Sequence, residues 1–66
     1  MNSNKELIIL FKKMLKLEEG ARDLYNGYLQ KLKDPSLVKD LTFIRNQEIE
    51  HVALAKKALM MLGEPI

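Results

Sequence analysis

The sequence predicts an all-α fold, an antiparallel two-helix hairpin that pairs with a second copy to form a four-helix bundle. Three observations carry this. Apolar residues recur at spacings of three and four along two long stretches. A single Asp-Pro break separates the stretches. The 66-residue chain has no cysteine, so a core of this size needs a metal or a partner chain rather than disulfides.

The elements follow in order. Ser3 and Glu6 form an S-x-x-E capping box ahead of the first apolar run. Asp34 can accept hydrogen bonds from the free N–H groups of a helix start. Pro35 fits the first turn, where its missing N–H costs nothing. Gly63 follows the last periodic residue and Pro65 comes two later, a helix stop. Helix 1 is therefore expected over about residues 4–32 and helix 2 over about 35–62, as one domain spanning 1–66. Strand signals, internal repeats and low-complexity segments are not seen.

On helix 1 the pattern selects Leu7, Phe11, Met14, Glu18, Ala21, Tyr25, Tyr28 and Leu32 as a seam. On helix 2 it selects Leu37, Leu41, Ile44, Glu48, His51, Ala55, Ala58 and Leu62. Both flanks of the seam are apolar too. Leu10, Leu17 and Leu24 lie on one side of helix 1, and Ile8, Leu15 and Leu29 on the other. Helix 2 has Leu54 and Met61, then Val38, Val52 and Leu59. So wide a face exceeds what one neighbouring helix covers and suits a helix packed against two others, which makes a homodimer the minimum assembly.

Three ionisable residues sit in this apolar seam: Glu18, Glu48 and His51. A buried carboxylate without a partner is costly, so each needs one. Glu18 lies 16 residues before Asp34, while Glu48 and His51 lie 14 and 17 after it. At 1.5 Å per residue these are about 24, 21 and 25 Å from the turn, so an antiparallel hairpin brings all three to one level. Glu48 and His51, three apart, share a helix face. Two hairpins related by a twofold axis would gather four carboxylates and two imidazoles, the ligand inventory of di-iron carboxylate bundles. Oxygen and imidazole donors together suit iron or manganese, with zinc a possible substitute. Without a metal, the same residues would form a buried Glu–His layer that fixes register and oligomeric state.

These residues resemble the ferritin-like di-iron superfamily, particularly rubrerythrins and encapsulated ferritins. The segment Glu18-Glu19-Gly20-Ala21-Arg22-Asp23-Leu24-Tyr25 is similar to the family's first-helix motif, a ligand Glu with Ala three later and Tyr seven later. Glu48-Ile49-Glu50-His51 is similar to its Glu-x-x-His. The resemblance spans nearly the whole chain as one hairpin. Ferritins and rubrerythrins carry two hairpins per chain, whereas encapsulated ferritins carry one and dimerise around the metals. The resemblance implies a ferroxidase that oxidises Fe2+ with oxygen or peroxide at a di-iron site shared by two chains, serving iron storage or detoxification. Glu18, Glu48 and His51 would be its metal ligands and catalytic residues, and Tyr25 would stand behind them as a hydrogen-bond donor or oxidation sink. A rubrerythrin-like peroxidase and a structural dimerisation module are the alternatives. Neither the shell-targeting tail of encapsulated ferritins nor the cysteine-rich domain of full rubrerythrins is expected, since the 66 residues up to Ile66 show no such tail and no cysteine.

The remaining features divide between surface and core. Glu19 and Glu50 fall on outer faces and are expected to be solvated. Tyr25 and Tyr28 read as core aromatics, and Met14 as a gap-filler. Lys12, Lys13 and Lys16 read as a solvated helix face rather than a nucleic-acid contact, since 11 basic and 9 acidic residues leave a net charge of only +2. No apolar run reaches a membrane span and no signal-peptide pattern is present, so a cytoplasmic location is expected, or the interior of a protein nanocompartment. Outward Ile9, Phe43, Ile49, Ala53 and Met60, with Gly20 and Gly27, suggest a second contact that would extend a dimer to a larger ring.

Overall fold

The computed structural model describes residues 3–64. Two helices, α1 (Ser3–Lys31) and α2 (Pro35–Met61), run antiparallel as a hairpin. The expected bounds agree to within one residue at each end. The Ser3 side chain of the expected capping box and Pro65 lie outside the described residues.

The turn works as its residue types dictate. Asp34 has extended backbone (φ −69°, ψ 118°), and its Oδ1 accepts from Ser36 N at 2.9 Å and Leu37 N at 3.2 Å. Pro35 has no N–H to satisfy, so the N–H groups of Ser36 and Leu37 are two of the three that the start of α2 leaves without an intrahelical acceptor, and Asp34 satisfies both. At the other end Gly63 adopts φ 89°, a left-handed conformation that a Cβ disfavours. Gly63 N donates to Met60 O and Glu64 N to Leu59 O, each at 3.0 Å, which closes a Schellman cap. Glu64 also pairs with Lys12, tying the end of α2 to α1.

The interior is narrower than the apolar pattern. Val52, Ala55 and Leu59 are its buried residues. Two of them, Val52 and Leu59, belong to the expected flank rather than the seam, so the hairpin packs on that side. The opposite flank stays open, with Leu10, Leu17, Leu24, Leu54 and Met61 all more than half exposed. Seam residues Leu7, Met14, Tyr28 and Leu37 are exposed with them. This corrects the reading of Tyr28 as a core aromatic, because within one hairpin it lies 48% exposed. The physical reason is geometric: two helices bury only the stripes that face each other, and a third or fourth helix is needed to cover the rest.

The molecule is a rod of 52 × 16 × 14 Å with a radius of gyration of 14.9 Å, against roughly 11 Å for a compact chain of this length. Its accessible surface is 5247 Å², where a compact monomer of this mass exposes roughly 4,300 Å². No described helix is long and apolar enough to cross a membrane.

Candidate metal centre

The cluster forms near the middle of the rod, at the border between the packed side and the open side. Glu18 comes from α1, and Glu48 and His51 from α2. His51 Nδ1 lies 2.7 Å from Glu18 Oε2 and 3.8 Å from Glu48 Oε1. One ligating atom from each residue lies within 4.8 Å of the others, close enough for the three to hold one metal ion. Both carboxylates are half-buried, whereas His51 is half exposed at 51%.

Glu48 is the informative member. Its Oε2 is buried and has no hydrogen-bond partner. An unsatisfied buried polar atom costs about 1–3 kcal/mol, and more when it carries charge. A cation bound between the carboxylates would remove that cost, so the residues present fit a metal. Two carboxylates and one imidazole give mixed oxygen and nitrogen donors, a set that suits iron, manganese or zinc without choosing among them. Without an ion, His51 can donate from Nδ1 to Glu18 and link the helices.

A groove of about 300 Å³ lies directly on the cluster, lined by Met14, Glu18, His51 and Leu54. It belongs to the open apolar side, so Glu18 and His51 are reached from the face that one hairpin leaves uncovered, while Glu48 lies behind them with its Oε2 buried. Met14 therefore lines the site's approach rather than filling an interior gap.

The other expected positions divide. Glu50 is exposed, as read from its register; Glu19 is half-buried, so it is not fully solvated, yet it does not join the cluster. Tyr25 is half-buried and stacks edge-on against Tyr28, with ring centroids 6.5 Å apart. It follows Glu18 by seven residues, about 10.5 Å along the helix. Lys12, Lys13 and Lys16 are exposed.

Sequence reasoning missed two arginines. Arg22 and Arg45 are half-buried, and each is one helical turn from a cluster carboxylate. Arg22 is held by Asp23, with Nε at 3.1 Å and Nη2 at 3.0 Å from Oδ1. Arg45 crosses the hairpin to donate from Nη1 to Asn26 Oδ1 at 2.8 Å, and its Nε donates to Asn46 Oδ1 at 3.0 Å. The signal was their spacing from the glutamates, four after Glu18 and three before Glu48.

Comparison with protein-family models, with curated proteins and with solved structures returns no match to this chain.

Proposed function

We propose that this chain is a ferritin-like ferroxidase whose site is completed by a second copy. Two hairpins would meet through their open faces and hold two ferrous ions between Glu18, Glu48 and His51 of both chains. The observation that carries the reading is the unpartnered, buried Glu48 Oε2 inside a Glu, Glu, His cluster whose Glu18 and His51 line a groove on an apolar face.

Two further facts support it. The exposed stripe of Leu7, Leu10, Met14, Leu17, Leu24, Leu54 and Met61 flanks the cluster on both helices. The surface in excess of a compact monomer is roughly 900 Å², about what one partner contributes to a standard protein interface. A second copy thus supplies both the missing ligands and the missing cover.

The chemistry assigned is oxidation of ferrous iron, with the ions as substrate. Each Fe2+ loses one electron. Two ions held together deliver two electrons to dioxygen, which takes up two protons and leaves as hydrogen peroxide. Alternatively they deliver them to hydrogen peroxide, which takes up two protons and leaves as two waters. The carboxylates favour the more highly charged product ion, and His51 supplies the nitrogen donor that distinguishes a transition metal from calcium or magnesium. Holding the two ions at one level is the protein's main contribution.

A second reading has one observation in its favour. The 2.7 Å contact between His51 and Glu18 already joins the helices without an ion, as a structural polar layer in a dimerisation module would. Titration with Fe2+ under argon, followed by admission of air or peroxide, separates the readings. Saturable uptake and a ferric absorbance rise support the ferroxidase, and the faster oxidant tells oxidase from peroxidase. A folded chain that takes up no iron supports the structural layer.

A further inference from the structure

Arg22 and Arg45 occupy positions from which they should disable the cluster. Arg22 follows Glu18 by four residues on α1, and Arg45 precedes Glu48 by three on α2. Residues so spaced are neighbours on a helix surface. A guanidinium is also the preferred bidentate partner of a carboxylate. Half-buried as they are, both arginines would be expected to close on the nearest glutamate.

Neither does. Among the described residues, no ion pair joins either arginine to Glu18 or Glu48. Arg22 turns instead to Asp23, through both Nε and Nη2. Arg45 is held at two points by neutral amides, Asn26 on the opposite helix at 2.8 Å and Asn46 beside it at 3.0 Å. Meanwhile Glu48 Oε2 stays buried without a partner one turn away. An available donor is thus directed away from an acceptor that lacks one.

We infer that Asp23, Asn26 and Asn46 are positioning residues that restrain the two guanidiniums and keep the carboxylates open to a cation. The inference rests on the metal-binding reading and adds the device that protects it from internal competition. With the restraint gone, each arginine would swing onto its glutamate, and a metal ion would have to displace it. The amides matter most, because they hold Arg45 without adding charge near the site.

The test uses the full chain and Fe2+ titrated under argon, with affinity as the readout. Asn26→Ala with Asn46→Ala frees Arg45 and leaves the net charge unchanged. Affinity should fall about two- to fivefold, the worth of a helix-surface to partly exposed ion pair. On an Arg45→Gln background the same two substitutions should have no effect, since the competing group is absent. If the paired alanines bind iron as tightly as the wild type, the inference is overturned. It is equally overturned if the drop persists on the Arg45→Gln background, which would make the amides a packing feature. Should the paired variant lose helicity, Asp23→Ala provides the second arm, because Asp23 is exposed. Its effect should shrink on an Arg22→Gln background, and an unchanged effect there rejects the inference. A wild-type chain that takes up no iron at all removes the metal reading and this restraint together, in an arm distinct from the variants.

Discussion

His51 reaches across the hairpin rather than along its own helix: its Nδ1 is 2.7 Å from Glu18 Oε2 on α1 and 3.8 Å from Glu48 Oε1 on α2. The cross-helix contact makes the cluster a property of the folded hairpin. The i, i+3 pair alone would exist on any isolated helix of this sequence. A metal bound here would therefore depend on α1 and α2 being docked, and would in turn stabilise their docking.

Single removals of the cluster should abolish iron uptake and leave the fold. Glu18→Ala, Glu48→Ala and His51→Ala should each lose the ferric absorbance change on adding Fe2+ in air, with helicity by circular dichroism preserved. Glu50→Ala should retain it, because Glu50 is exposed and outside the cluster. Glu19→Ala should also retain it, though its half-buried side chain makes it the more demanding control. Loss of oxidation in the Glu19 or Glu50 variant, with the cluster variants active, would refute the register.

The metal should saturate near one ion per chain, two per dimer, from the ligand count of paired hairpins. Elemental analysis after desalting and titration under argon both measure this. One ion per two chains would mean that a single site straddles the twofold axis and would remove the di-iron chemistry.

Stability should depend on the turn and the α2 cap more than on any surface charge. Asp34→Ala removes the acceptor for Ser36 N and Leu37 N and should cost about 1 kcal/mol. Gly63→Ala forces a Cβ into φ 89° and should cost about 1–2 kcal/mol. Leu59→Ala empties the largest fully buried side chain and should cost about 2–5 kcal/mol. Thermal melts at one fixed protein concentration give the ranking, and a Gly63→Ala chain as stable as wild type would contradict the cap.

The helices, the turn and the common level of Glu18, Glu48 and His51 were legible because helical rise and hydrophobic period are geometric constants. The rotation of each helix was not. Leu10 and Leu17 on one flank and Leu15 and Leu29 on the other are equally apolar, so either side could have packed inward. The structure chose the side of Val52 and Leu59 and left Tyr28 and Leu54 in the open. The arginines escaped for another reason. Arg22 and Arg45 fall outside the seam pattern, and a long aliphatic stem can lie along a seam while the head group leaves it. Gly20 and Gly27 remain without an account inside the hairpin: a Cβ at either would meet nothing within 4 Å.

Assembly is the last test, and it has two levels. Among the described residues one hairpin buries only Val52, Ala55 and Leu59, while exposing Leu17 at 73%, Leu54 at 63% and Met61 at 79%. If a second copy covers that face, Leu17→Glu or Leu54→Glu should yield monomers, because a carboxylate buried in an apolar interface without a partner is not tolerated. Phe43→Ser and Ile49→Ser should leave the dimer and affect only a larger ring, if those residues form the second contact. Iron should act on the first level alone. An ion that needs ligands from both chains binds the dimer and not the monomer, so it shifts the equilibrium by mass action. Light scattering across a concentration series, with Fe2+ under argon and with chelator, measures both. The expected result is a dimer at minimum in wild type, smaller species in the chelated sample at low concentration, and monomers in Leu17→Glu whether or not iron is present. A wild-type monomer at every concentration, with and without iron, would defeat the shared site, since the described residues of one chain offer a single cluster and no cover for it. A dimer insensitive to iron but broken by Leu17→Glu would keep the apolar interface and return Glu18, Glu48 and His51 to a structural layer.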